Sequence, residues 1–226
     1  MRALLRTLHA TGLLFPVCDL EGNEWEEHPQ FCLTGEGNSV ATKTQQPSAQ
    51  LPEWHNTLVT NRVMDSGIHR ISLLYTLPPN PEMYGRTPVD ERTYLRPGMF
   101  GVTLDGVASG ERARRAPAWL ISAFSGQRYY GMGAAPTTDE MHPRWGEWTD
   151  ESAVGKIKEG QVLSMELNMD VGTLKFWVDG HPHGPGFTGI RPGDFGGRLR
   201  WAACLTKVGM SVRIVPTNWY ANLGRG

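Results

Sequence analysis

The chain has no long hydrophobic run and no excess of charge of one sign. It contains 22 Lys and Arg against 23 Asp and Glu, which gives a formal net charge of −1. Nucleic-acid-binding domains usually carry a strong basic excess, so the composition disfavours direct binding to nucleic acid. No uninterrupted apolar stretch approaches the roughly 20 residues that span a bilayer. We therefore expect a soluble globular protein with no membrane partner.

Cysteine is scarce, and its three copies, Cys18, Cys32 and Cys204, include no closely spaced pair. A chain of 226 residues can bury a stable core without disulfide bonds. An odd number of dispersed cysteines is typical of free thiols in a reducing compartment. The sequence thus predicts three free thiols and an intracellular, cytoplasmic protein.

The amino-terminal segment, residues 1–16, contains no acidic side chain and five leucines. An acid-poor, amphipathic start of this kind is typical of a mitochondrial presequence, which makes mitochondria the alternative location. Leu4, Leu8 and Phe15 also recur at helical spacing, as they would in a short helix that packs on the domain. Both interpretations stay open at the level of sequence.

Glycine and proline, with 27 and 16 copies, are spread along the chain. Both residues destabilise helix interiors, by about 1 and 3 kcal/mol relative to alanine. Long helices are therefore not expected, and short strands separated by turns are. The pattern predicts strands over residues 40–44, 57–64, 68–77, 99–104, 118–124, 127–132, 161–169, 173–178, 199–205 and 210–215.

The carboxyl third shows the clearest alternation. Residues 161–169 alternate polar with apolar side chains, and residues 173–178 place Leu174, Phe176 and Val178 on one side and Trp177 on the other. Alternation with period two is typical of strands that have one face on a core. With Trp119 and Trp201 as further core residues, the sequence predicts an all-β fold of two antiparallel sheets packed face to face.

The segment between residues 160 and 187 combines Asp170-Val171-Gly172-Thr173-Leu174-Lys175-Phe176 with the Asp179-Gly180 turn and Gly186-Phe187. This spacing resembles the SPRY (B30.2) family. The resemblance extends over about residues 57–215 through four further segments: Ser66-Gly67-Ile68-His69, Phe100-Gly101-Val102, Ala118-Trp119-Leu120 and Tyr129-Tyr130-Gly131. It implies a bent, concanavalin A-like jelly roll that binds proteins.

The hairpin over residues 170–180 is most similar to SPRY domains that precede a SOCS box. Only 11 residues follow Val215 in this sequence of 226, so we expect no SOCS box within it. Those domains form a peptide pocket partly from a Val-Trp-Gly loop between the last two strands. The corresponding residues here are Lys207-Val208-Gly209, so the resemblance implies Lys207 and Val208 as partner contacts without the tryptophan.

Three regions are expected along the chain. Residues 1–30 form an amino-terminal extension, residues 31–218 the SPRY-like sandwich, and residues 219–226 a carboxyl-terminal tail.

Residues able to support catalysis or bind a metal are few. Asp179, His181 and His183 could each supply a ligand to zinc, but they fall in a turn at the end of a hairpin, so a structural role is favoured. The chain contains no Gly-x-Ser-x-Gly motif. We therefore predict a protein that is not an enzyme and has no cofactor or bound metal.

Eight tryptophans in one domain are more than a core requires. Aromatic side chains are efficient anchors at interfaces because they bury a large area at little cost in rotamer freedom. We predict partner contacts at Trp145, Trp148 and Trp177, followed by Tyr129 and Tyr130. The alternative is that another part of the chain folds over them.

The loop after residue 106 contains Arg112, Arg114 and Arg115. By resemblance this loop belongs to the binding edge of SPRY domains, where guanidinium groups could bind an acidic peptide through paired hydrogen bonds. A merely solvated basic loop is the competing interpretation.

The predicted function is a non-catalytic adaptor or scaffold module that binds a short peptide or protein surface through loops at one edge of the sandwich. One alternative is a lectin-like domain, because a related sandwich underlies legume-type lectins. Another is a structural subunit of a large assembly, such as a mitochondrial ribonucleoprotein.

Overall fold

The computed structural model describes residues 23–45, 57–77, 98–106, 118–123, 126, 128–131, 157–184, 186–190, 193, 197–205 and 208–216. These residues form twelve strands and one short 3-10 turn at Glu36–Asn38. None of their helical segments is long and apolar enough to cross a membrane. The strands are β1 (Phe31–Thr34), β2 (Val40–Lys43), β3 (Thr57–Val59), β4 (Ile68–Thr76), β5 (Gly98–Leu104), β6 (Ala118–Ser122), β7 (Arg128–Gly131), β8 (Val162–Asn168), β9 (Thr173–Val178), β10 (His181–Pro182), β11 (Leu199–Leu205) and β12 (Ser211–Val215).

The strands form two sheets in which every described pair is antiparallel. The seven-stranded sheet has the order β1-β2-β12-β4-β8-β9-β10, and the five-stranded sheet has the order β3-β11-β5-β6-β7. The predicted all-β, two-layer sandwich is therefore confirmed. The last two strands, β11 and β12, lie in different sheets, so the chain passes from one layer to the other between them.

The core lies between the sheets and follows the alternation seen in the sequence. Leu163, Met165 and Leu167 of β8 are buried, as are Leu174 and Phe176 of β9. From the five-stranded sheet, the core receives Phe100, Val102, Trp119, Ile121, Trp201 and Ala203. The predicted core positions of Trp119 and Trp201 are confirmed, with exposures of 5% and 1%. On β12, Val212 is fully buried and Ile214 packs against the core.

The opposite face of the five-stranded sheet is also buried. It carries a second apolar cluster of small and medium side chains: Val59, Met99, Ala118, Leu120, Ala202 and Cys204. Cys204 is a buried free thiol that lies 3.3 Å from the Thr57 hydroxyl, and Cys32 is an exposed free thiol. Two of the three predicted free thiols are thus confirmed, and Cys18 lies outside the described residues.

The hairpin turns around β9 have the geometry that the sequence predicts. Gly172 has φ 67°, and a Cβ there would lie 2.3 Å from the Ile190 carbonyl oxygen. Asp179 and Gly180 both have positive φ, of 50° and 81°. Two consecutive residues with positive φ match the twist of a tight antiparallel hairpin.

The predicted end of one strand was wrong, and two strands were missed. The strand predicted over residues 57–64 ends at Val59 and continues only as isolated bridges at Thr60 and Met64. The chain leaves the sheet here because the Asn61 side chain accepts a hydrogen bond from the Glu24 N–H and the Asn61 N–H pairs with the Glu24 carbonyl. Strands β1 and β10 were not predicted at all.

The amino-terminal extension predicted for residues 1–30 is described only from residue 23. Trp25 is buried, and it forms an isolated bridge with Thr60 beside β3. The Glu26 N–H donates a 2.9 Å hydrogen bond to the Val59 carbonyl. The helix or presequence predicted for residues 1–16 and the tail predicted for residues 219–226 lie outside the described residues.

Candidate interaction surface

Two long connections leave the five-stranded sheet at the same end. In the register of the sheet, Thr103 is opposite Ala118, and Ala118 is opposite Gly131. Residues 107–117, which follow β5, and residues 132–156, which follow β7, therefore depart from neighbouring strand ends. We call this the Leu104 end of the sheet, since Leu104 is the last residue of β5.

A charge network holds strand ends together at the Leu104 end. One oxygen of Asp105 accepts a 2.7 Å hydrogen bond from Arg200 Nε, and the other lies 2.7 Å from Arg198 Nη2. Arg200 Nη1 also donates to Glu26 and, at 3.3 Å, to the Thr60 carbonyl. The network thus joins β5, β11 and the chain that runs beside β3.

Arg200 is the centre of this network. Burial lowers the pKa of Arg200, but hydrogen bonds from its guanidinium to Glu26 and Asp105 raise that pKa overall. The side chain of Asp105 is only 9% exposed, so the Asp105–Arg200 contact is shielded from solvent. Shielded, charge-assisted hydrogen bonds are stronger than exposed ones. The network therefore holds Asp105 in place, two residues before the segment 107–117 begins.

Strand β7 is tied to the other layer. Arg128 Nη1 donates a 2.5 Å hydrogen bond to the Gly186 carbonyl, and the guanidinium carbon lies 5.7 Å from the centre of the Phe187 ring. Phe187 in turn pairs with Leu174 of β9 and packs edge-on against Phe176. Strand β5 is therefore anchored next to its Leu104 end, and β7 is anchored at its opposite end, by Arg128.

Most of the predicted partner contacts lie outside the described residues: Arg112, Arg114, Arg115, Trp145, Trp148 and Lys207. The strand ends show that the segment with the arginines starts and ends at this rim. The segment 132–156 starts at this rim and ends at the other end of the sheet, where the Ile157 N–H donates to the Ala123 carbonyl. Tyr129 and Tyr130 belong to β7, where they pair with Leu120 and Trp119.

The structure separates the remaining two predicted contacts from this rim. Trp177 is half-buried and pairs with Ser164, with its side chain on the outer face of the seven-stranded sheet. Val208, which is 38% exposed, follows β11, whose last residue Leu205 pairs with Gly98. Gly98 and Leu104 are at opposite ends of β5, about 20 Å apart in a strand of this length.

Asp179, the first of the candidate zinc ligands, has other contacts in the structure. The Asp179 carboxylate accepts a 2.9 Å hydrogen bond from the Val162 N–H and a 2.8 Å bond from the Gln161 amide, so it stabilises the turn. His181 is exposed, and His183 is buried. Burial lowers the pKa of His183. In the described part of the chain, no group of three or more His, Cys, Asp or Glu side chains could hold a metal ion.

Sequence reasoning missed the Asp105–Arg200 network. Its members are as far apart as Glu26 and Arg200, so no local pattern reveals it. One signal was present: Arg200 is the only charged residue in β11, which is otherwise apolar and buried. A charge in such a strand needs a partner, because burying it alone is costly.

Comparison with solved structures identifies the architecture. The SPRY domain of human HERC1 superposes with a TM-score of 0.54 at 14% identity, covering 86% of this chain and 96% of that one. The TRIM65 PSpry domain gives 0.53 at 13% identity, covering 96% of this chain and 100% of that one. The chain therefore has a SPRY-domain fold, as the hairpin motif predicted. No protein-family profile and no curated protein matches the sequence.

Proposed function

We propose that the chain is a non-catalytic protein-interaction module that binds a short peptide or a protein surface at the Leu104 end of its sandwich. The observation that supports this assignment is the common origin of residues 107–117 and 132–156 at neighbouring strand ends. Binding residues on loops are effective when a rigid scaffold holds the loop bases. The module would serve as an adaptor or as a scaffold subunit.

The chemistry of the two segments favours an acidic ligand with an apolar anchor. Arg112, Arg114 and Arg115 can each donate two parallel hydrogen bonds to a carboxylate. Trp145 and Trp148 can supply apolar area at little entropic cost. The charge network at the rim adds no net charge, because Arg198 and Arg200 are balanced by Asp105 and Glu26. The three loop arginines would then set the preference for acidic peptides.

The contacts predicted at Trp177, Lys207 and Val208 are not part of this site. Trp177 lies on the outer face of the other sheet and Val208 lies beyond the opposite end of β5, while Lys207 is outside the described residues. We propose the Leu104 end as the primary site because two long segments start there. A reducing, intracellular location fits the proposal, since Cys32 and Cys204 are free thiols.

The test is selection of peptides from a phage-displayed random library on the purified chain. We expect enriched peptides to be acidic, and the triple variant R112E/R114E/R115E to bind them at least about tenfold more weakly, since each lost charged hydrogen bond costs about 1.5–3 kcal/mol. The matched control is K158E/K175E/R213E, which reverses three exposed basic residues elsewhere. Equal binding by both variants would exclude the proposed site.

A further inference from the structure

The edge of the seven-stranded sheet at β1 has backbone groups that point away from the sheet. The Thr44 N–H donates a 2.8 Å hydrogen bond to the Gln30 carbonyl. Gln30 and Thr44 are therefore a hydrogen-bonded pair at the start of the β1–β2 ladder. Residues opposite each other in an antiparallel ladder alternate between bonded and non-bonded pairs. Phe31 and Leu33, which are opposite Lys43 and Ala41, therefore occupy non-bonded pairs, and their N–H and C=O groups point away from β2.

One of these outward groups has a local partner. The Phe31 N–H donates a 3.0 Å hydrogen bond to the His28 carbonyl. Within the described part of the chain, the Phe31 carbonyl and the N–H and C=O of Leu33 have no hydrogen-bond partner. An added strand could therefore donate to the Phe31 and Leu33 carbonyls and accept from the Leu33 N–H.

A groove of about 570 Å³ runs beside this edge. Its floor includes Phe31 and Leu33, which lie on the core side of β1, and its walls include Glu27, His28 and Asn38. The His28 ring packs edge-on against Phe31 at 5.1 Å, and His28 Nδ1 accepts a hydrogen bond from the Gln30 N–H. These contacts hold the His28 ring in place, and the partly exposed Leu33 side chain offers apolar contact to a side chain of an added strand.

The exposed charges beside the edge are acidic. Residues 23–42 contain four glutamates, of which Glu27 and Glu36 are exposed, and the nearest lysine, Lys43, is fully buried opposite Phe31. Glu26 contacts Arg200, and Glu27 is exposed to solvent. A basic segment would be attracted to this edge, whereas a second copy of the chain would bring the same glutamates together and be repelled.

We propose that the edge of β1, which pairs with no other strand in the described part of the chain, is a strand-addition site for an extended peptide with alternating apolar residues flanked by Lys or Arg. The backbone of Phe31 and Leu33 would pair with the peptide, and the groove would receive its apolar side chains. This site uses the edge of β1 and not the segments that follow β5 and β7, and it takes ligands of opposite charge. The two proposals can therefore fail independently.

The test uses the full chain and a synthetic peptide selected on it from a phage-displayed random library. Substitution of Leu33 by proline removes the outward N–H, and proline is tolerated where an edge N–H faces solvent. We expect L33P to bind the peptide at least about tenfold more weakly and the matched variant L33V, which keeps the N–H, to stay within about threefold of the native chain. The variant E27K/E36K should weaken binding as well.

Methylation of the peptide provides a second measurement that does not depend on how L33P folds. Methylating successive peptide nitrogens one at a time should abolish binding at every second position, because only alternate N–H groups face β1. The proposal is overturned by unchanged binding to L33P, by methylation effects without this alternation, by selection that yields no basic alternating peptide, or by light scattering that shows a dimer broken by L33P.

Discussion

The ammonium group of Lys43 donates a 2.8 Å hydrogen bond to the main-chain oxygen of Leu205. Lys43 is on β2 of the seven-stranded sheet, and Leu205 ends β11 of the five-stranded sheet. The lysine is fully buried, with 0% exposure. A charged side chain thus crosses the core and joins the two layers next to the connection between β11 and β12.

Replacing Lys43 should show how much this cross-layer contact stabilises the fold. We expect Lys43→Ala to lower the free energy of unfolding by about 2–4 kcal/mol, because it leaves both a cavity and an unpaired carbonyl. Lys43→Met fills most of the volume and should lose less. Urea unfolding of both variants checks this, and an alanine variant as stable as the native chain would contradict it.

The stability of the fold should depend on the Tyr75 hydroxyl. Tyr75 is buried, and its O–H donates to the Ile157 carbonyl. Burial, with the charge of Glu159, raises the pKa of Tyr75 to about 12. Tyr75→Phe leaves the buried carbonyl without a donor, so the free energy of unfolding should fall by about 1–3 kcal/mol. A Tyr75→Phe chain that unfolds at the native urea concentration would show that the hydrogen bond contributes nothing.

Two buried histidines should make stability depend on pH. Burial lowers the pKa of His28, and the charge of Lys43 lowers it further, while burial alone lowers the pKa of His183. Below the unfolded pKa of about 6.5, the unfolded chain binds protons that the folded chain does not. The contribution of each neutral histidine to the free energy of unfolding is therefore fully present above that pH. It is lost as pH falls, by up to about 1.4 kcal/mol per pH unit for each histidine, until the folded pKa is reached.

Substitution of each histidine checks this dependence. His28→Gln and His183→Gln should each flatten the fall in unfolding free energy between neutral and mildly acidic pH. The control is His181→Gln, which changes an exposed side chain on the same hairpin as His183. If the control flattens the curve as much as the buried variants do, burial is not the cause.

Gly172 combines a left-handed backbone with a close contact. An alanine there would place Cβ 2.3 Å from the Ile190 carbonyl oxygen. Gly67 has a similar φ, 76°, but a Cβ at that position would have no heavy atom within 4 Å. We expect Gly172→Ala to destabilise the chain more than Gly67→Ala by about 1–3 kcal/mol, which is the cost of overpacking. Equal losses in thermal unfolding would assign the whole effect to backbone strain.

Much of the fold is predictable because strand faces alternate between core and solvent. The alternation in residues 161–169 and 173–178 predicts which face is buried, and the structure buries Leu163, Leu174 and Phe176 accordingly. Strand β1 was not predictable in this way. It has only four residues, and it is a strand because it pairs with β2, a contact that the local sequence does not encode.

The candidate sites were less predictable than the fold for a physical reason. Lys43 and Arg200 occupy strand positions where an apolar residue is expected, and their partners lie 162 and 95 residues away at Leu205 and Asp105. Long-range polar contacts of this kind leave no period in the sequence. Likewise, the register of β5 against β6 and β11, which separates Val208 from the Leu104 end, is known only once the strands are paired.

Hydrogen exchange of the chain with a selected acidic peptide tests the central claim most directly. The account predicts slower amide exchange in residues 105–118 and 131–156 when the peptide is bound, and no change in residues 206–209 at the other end of β5. Protection confined to residues 206–209, or no protection in the two long segments, would contradict a binding site at the Leu104 end.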